Sequence, residues 1–295
     1  MAERLREGEP PARGVRRIVR REAAKALKRV DVDRAPADVA IHDARKRLKR
    51  ARAALRLIRK PLGARQFRRE NEAFRDAARP LSEIRDAKIL VEAFDALVKD
   101  DAPHDRPAFR SVRDVLVAHQ LRVRGRAFRN GNAMEPVLRA LRSARRRAGG
   151  WSFERDGWSA LRPGVRRVYR SGRKVLAVAR AEPRDENLHE LRKQAKYLWQ
   201  ELEILASIAP GMLRARAARA RRLSDALGDD HDLAVLRQRL SHAPARVPRT
   251  TIAAVSRLID VRRASLQARA LALGARVYRD RPRRFVKLVE NRRDR

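Results

Sequence analysis

The chain has no cysteine, so it holds no disulfide, no thiolate metal site and no thiol nucleophile. Aromatic residues are scarce, at 4%. A packed interior must therefore come from Leu, Ala, Val and Ile, which suit helices laid on helices. The same scarcity weighs against binding of single-stranded nucleic acid, which leans on stacking rings. No apolar run is long enough to span a membrane. Met1 to Arg21 lacks the apolar stretch of a secretory signal. A soluble cytoplasmic protein is the expectation. Acidic residues are few too: 36 against 74 Lys and Arg, a net charge of +38 over 295 residues. Such an excess opposes the compact state by self-repulsion. It calls for a polyanionic partner such as nucleic acid, polyphosphate or an anionic membrane surface.

Hydrophobic residues still make up 43% of the chain, enough for a sizeable core. Their spacing is helical nearly throughout and strand-like alternation is absent, which predicts an all-α fold. Breakers fall at Gly8–Gly14, Asp33–Pro36, Pro61–Gly63, Pro80, Pro103–Pro107, Gly131–Pro136 and Gly149–Gly150. More fall at Pro163–Gly164, Pro183, Pro210–Gly211, Gly228, Pro244–Pro248 and Pro282. They predict helices of roughly 12–25 residues in the intervals.

One motif occurs twice, 147 residues apart: Ile41-His42-Asp43-Ala44-Arg45-Lys46-Arg47-Leu48-Lys49 and Leu188-His189-Glu190-Leu191-Arg192-Lys193-Gln194-Ala195-Lys196. Both read apolar–His–acid–x–Arg–Lys–x–x–Lys, the spacing of a single helical face. Other segments repeat at similar offsets. Gly14 to Arg20 matches Gly164 to Arg170, and Leu81 to Asp86 matches Leu227 to Asp232. The chain therefore reads as an internal duplication, with repeat 1 over about 14–148 and repeat 2 over about 162–290. Both repeats fall in one domain over 10–290, with residues 1–9 and 291–295 as flexible ends.

On a helical wheel Arg45, Lys46, Lys49 and Arg56 fall within about 60° of His42, while Ala44, Leu48, Ala51, Leu55 and Ile58 lie opposite. Arg192, Lys193 and Lys196 flank His189 in the same way, opposite Leu191, Ala195, Leu198, Leu202 and Leu205. A charged stripe is usually just a solvated face, but such a face mixes signs, because like charges one turn apart repel. These two concentrate one sign. Arg16 with Arg20, and Arg166 with Arg170 and Arg173, form a second tier of one-sided arginines, with the Tyr169 hydroxyl beside them as a possible phosphate donor. Asp86 and Asp232 read as helix starts, where a carboxylate complements the dipole; a lesser role is to orient a neighbouring Arg or His.

With these residues the chain resembles the CHAD (conserved histidine α-helical domain) family. The resemblance rests on His42-x-x-Arg45-Lys46-x-x-Lys49 with Arg52 and on His189-x-x-Arg192-Lys193-x-x-Lys196. It also rests on the Leu81 to Asp86 and Leu227 to Asp232 segments, on Tyr169 to Arg173, and on Tyr278, Pro282 and Phe285. It implies two pseudo-symmetric four-helix bundles with a basic groove or pore between them. It also implies binding of inorganic polyphosphate. No compact cluster of carboxylates surrounds either His, so no metal is expected, nor a cofactor or catalytic residue. Tyr197, Trp199, Glu201 and Glu203 depart from the family pattern and shorten the basic strip of the second copy. Polyphosphate suits these residues because it is charged at every unit and has no bases to read: Arg forks onto two oxygens and Lys adds a mobile charge. Association with polyphosphate granules is compatible with such a role. Two alternatives stand beside it: a nucleic-acid-binding protein, and a His-based phosphotransfer or phosphohydrolase enzyme. Insertion into a membrane surface is disfavoured, because the apolar backs are needed for the core.

Overall fold

Leu, Ala, Val and Ile at helical spacing build fewer and longer helices than the breakers predict. The computed structural model describes residues 3–31, 36–101, 107–129, 134–154 and 156–291. The described residues form eleven α-helices: α1 (Pro11–Val30), α2 (Asp38–Leu57), α3 (Arg59–Leu62), α4 (Ala64–Asp101), α5 (Pro107–Phe128), α6 (Glu135–Gly149), α7 (Trp158–Ala181), α8 (Asp185–Ile204), α9 (Pro210–Leu240), α10 (Arg249–Val277) and α11 (Pro282–Glu290). None is long and apolar enough to cross a membrane.

Proline opens α1, α9 and α11 at a position whose N–H has no helical partner to lose. Other expected breakers are absorbed. Pro80 lies inside the 38-residue α4, Pro163 and Gly164 inside α7, and Gly228 inside the 31-residue α9. Asp86 and Asp232 consequently sit in mid-helix and do not begin helices. Burial explains the override: Leu81 and Ile84 beside Pro80, and Leu223, Leu227 and Leu233 around Gly228, bury apolar surface along the whole length. The breaks expected at Asp33, Pro103 and Gly131 lie outside the described residues.

The main apolar core takes residues from α1, α2, the first part of α4, α6, α7, α8, the first part of α9, and α11. A smaller core joins the second parts of α4 and α9 to α5 and α10. The core does not divide at the seam near residues 148–161. Trp151 and Trp158, which mark that seam, are both buried. The long helices α4 and α9 run through both cores and flank α2 and α8. Among the described residues, the start of the chain packs on the main body. Leu5 is buried and its N–H donates to the Ile204 carbonyl at 3.0 Å, and Glu3 pairs with Arg17, Arg21 and Lys25.

Candidate functional site

Ala44, Leu48, Ala51, Leu55 and Ile58 are all buried, and so are Leu191, Ala195, Leu198, Leu202 and Leu205. With their apolar backs in the core, α2 and α8 turn their basic fronts to one cavity of about 560 Å³. Helix α2 lines it with His42, Arg45, Lys46 and Lys49, and α8 with His189, Arg192, Lys196, Trp199 and Gln200. The flanks are Arg85 and Asp86 from α4, and Arg221, Asp225, His231 and Asp232 from α9, with Ile89, Leu90 and Val235 as its apolar members. Seven Arg and Lys side chains thus face three carboxylates, with three histidines among them.

The carboxylates do not cancel the charge; they steer it. Asp86 Oδ1 accepts from Arg45 Nη2 at 3.0 Å, and Asp232 Oδ1 lies 3.9 Å from Arg192 Nη2. Asp86 holds one edge of Arg45 by a hydrogen bond and Asp232 pairs more loosely with Arg192, the orienting role that stood second to a helix start. Arg45 Nε, Arg85 Nε and His189 Nδ1 are buried without a hydrogen-bond partner among the described residues. Two guanidinium edges and one imidazole nitrogen are thus left unpaired at the cavity residues.

Burial among like charges pushes the amines down. Lys49 falls to about 7, through desolvation first and then Lys196, Arg45 and Arg192; Lys196 falls to about 8, through desolvation and then Arg192 and Arg45. His42, His189 and His231 are all lowered, in each case by desolvation before neighbouring cations. The His189 and His231 rings lie 4.5 Å apart. Asp232 is raised, chiefly by desolvation.

The other expected site residues lie elsewhere. Arg52 donates to Asn71 at 3.1 Å, and Arg56 bonds the Arg52 carbonyl and stacks 3.7 Å over the Tyr197 ring. Lys193 points away from the cavity and pairs with Glu190 at 2.5 Å. The second tier does not reach the cavity either. Arg16 donates to the Trp151 carbonyl at 2.6 Å, Arg20 lies over Gly149, and Arg166 and Arg170 are exposed on α7. Arg173 donates to the Asp280 carbonyl at 2.7 Å. Tyr169 is fully buried and is no phosphate donor: its hydroxyl donates to the Val277 carbonyl at 3.2 Å and accepts from the Asp280 N–H at 3.1 Å. In the cavity both basic strips end at the last motif lysine, Lys49 and Lys196; beyond it on α8 Trp199 takes a place on the wall, and Glu201 is buried with its carboxyl raised well above the usual range by desolvation.

Sequence reasoning missed Arg85, His231 and Arg221. The first two had a signal, since they precede Asp86 and Asp232 at matched repeat positions. Arg221 had none. Among the described residues, no group of three His, Asp or Glu is placed to hold a metal ion.

No curated protein matches the chain in sequence. Among solved structures, PptA from Streptomyces chartreusis shares the fold with a TM-score of 0.62 at 14% identity, over 92% of this chain and 100% of that one. The family model of the CHAD domain matches residues 17–241, most of the chain and both His motifs. The chain is a member of the CHAD family.

Proposed function

We propose that this protein binds inorganic polyphosphate, without turning it over, in the cavity between α2, α4, α8 and α9. The observation that carries the reading is the convergence of His42, Arg45, Lys46 and Lys49 with His189, Arg192 and Lys196 on one cavity, with Asp86 and Asp232 beside Arg45 and Arg192. We read the two motifs as halves of an internal duplication, each contributing one wall of a basic groove. A linear polyanion offers an oxygen to each donor along the wall, and binding replaces the mutual repulsion of the cations with attraction. Most of the groups lining the cavity are charged or hydrogen-bonding, and binding alone needs nothing more. Polyphosphate granules are the cellular setting this reading favours.

The test is the affinity for polyphosphate of defined length. The double variant Arg45→Ala/Arg192→Ala is expected to bind at least about tenfold more weakly, from the strength of charge-assisted hydrogen bonds. The control Arg145→Ala/Arg146→Ala, which removes two exposed arginines of α6, is expected to stay near wild type. Equal losses in the two pairs would overturn a specific site. Long-chain polyphosphate is expected to displace nucleic acid at lower concentration than the reverse; the opposite order makes nucleic acid the partner. Magnesium-dependent shortening of the polymer, or phosphohistidine on the protein, would replace binding by catalysis.

A further inference from the structure

Two motif segments remain outside the cavity: Tyr169 to Arg173 on α7, and Tyr278 to Phe285 near the end of the chain. They are packed against each other. The Tyr169 and Phe285 rings stack at 3.9 Å, and Tyr278 packs 5.5 Å from Tyr169. Tyr278 lies so close to Gly172 that a Cβ there would fall 2.3 Å from its hydroxyl. Asp280 is held on three sides: its N–H by Tyr169, its carbonyl by Arg173 at 2.7 Å, and its Oδ2 by Arg216 at 2.8 Å.

This frame presents a cleft of about 340 Å³ between α9 and the start of α11, sharing no lining residue with the cavity. Its one carboxylate, Asp280, is taken by Arg216. Arg219, Arg279 and Arg284 also line the cleft; all three are exposed, and none has an ion pair among the described residues. The first turn of α11, which carries Arg284, has no acidic residue and no side-chain cap to offset the positive end of the helix. Three unopposed cations on a concave, rigidly framed surface repel one another, and an oxyanion placed between them relieves that cost. Arginine forks match phosphoryl oxygens. The rings behind the cleft are buried, so they offer no face for a nucleobase, and the ligand is read through its phosphates alone.

We propose that this cleft is a second, separate phosphate-binding site, taking a phosphoryl group of an inorganic polyphosphate chain. The choice of ligand rests on the reading given for the cavity, whereas the site stands on its own residues. The probe is tripolyphosphate, titrated calorimetrically into the full chain. Two binding events are expected for the wild type. The variant Arg219→Gln/Arg279→Gln/Arg284→Gln is expected to lose one event while the other keeps its affinity. The cavity pair Arg45→Ala/Arg192→Ala is expected to lose the other. Unchanged helical circular dichroism checks that each variant is folded. The proposal is overturned if the triple variant keeps both events, or if the wild type shows one event that only the cavity pair abolishes. It is also overturned if a single-stranded oligonucleotide, and not tripolyphosphate, depends on the three arginines. If the triple variant loses one event and the cavity pair loses none, the second site stands and the cavity reading fails.

Discussion

Lys49 and Lys196 show, on single side chains, what gathering like charges in a recess does. Burial first, and then Arg45 and Arg192 with only partial relief from Asp86, Asp225 and Asp232, drops their amines from the ordinary 10.5 to about 7 and about 8. A bound phosphate reverses the balance and draws protons back on. Binding at pH 8 is therefore expected to take up protons, seen as a buffer-dependent heat in calorimetry, and less so in Lys49→Met. The three lowered histidines act in the same direction, so affinity is expected to be higher at pH 6 than at pH 8 at constant ionic strength. The free protein obeys the same linkage. Between about 7 and the ordinary 10.5 the unfolded amine holds its proton more often than the folded one, so stability rises with pH across that window. Urea unfolding at pH 7 and pH 9 is expected to show a smaller rise in Lys49→Met than in wild type.

At the scale of helices, two contacts set where the cavity walls stand. Helix α7 crosses the end of α2 at Gly164, where a Cβ would fall 2.4 Å from the Leu57 carbonyl oxygen. The neighbour is backbone and cannot swing aside. Gly164→Ala is therefore expected to cost about 1–3 kcal/mol in urea unfolding. On the other side, Arg147 of α6 holds Glu70 of α4 with two bonds of 2.9 Å, and Glu70 is fully buried. Arg147→Ala leaves that carboxylate without its strongest partner. A loss of about 3–5 kcal/mol is expected, with polyphosphate affinity of the folded protein unchanged because neither residue lines the cavity. A larger effect on affinity than on stability would place α6 in the site.

For the whole molecule the dominant quantity is the net charge of +38. Binding of a linear polyanion should release counterions, so the logarithm of affinity is expected to fall linearly with the logarithm of salt concentration. Removing Arg45 and Arg192 should make that slope shallower by roughly two, one for each lost phosphate contact. A variant that weakens binding without changing the slope has lost shape and not charge. The fold serves this charge by dividing it. Much of it spreads over the outer faces, while seven cations share one cavity and four more share a cleft between the start of α9 and α11.

The sequence by itself determined the helical class, because apolar residues recur at helical spacing and no other period competes. It also determined the two motif faces: every residue placed on the apolar backs of α2 and α8 is buried, since a one-sided helix has only one way to leave water. Helix lengths were not legible. Pro80, Pro163 and Gly228 punctuate a local reading, and packing against neighbouring helices overrides them. The membership of the site was half legible. His42, Arg45, Lys46, Lys49, His189, Arg192 and Lys196 share a cavity as their spacing implied. Arg52 and Arg56 continue the same stripe, but it runs on into contacts with Asn71 and Tyr197. A wheel gives the direction of a side chain and not what stands opposite. Only the tertiary structure decided that α4 and α9 supply Arg85, His231, Arg221 and the steering carboxylates. It alone turned Tyr169 from a ligand donor into the buried support of a different arginine cleft, because contacts over a hundred residues apart leave no period in the chain.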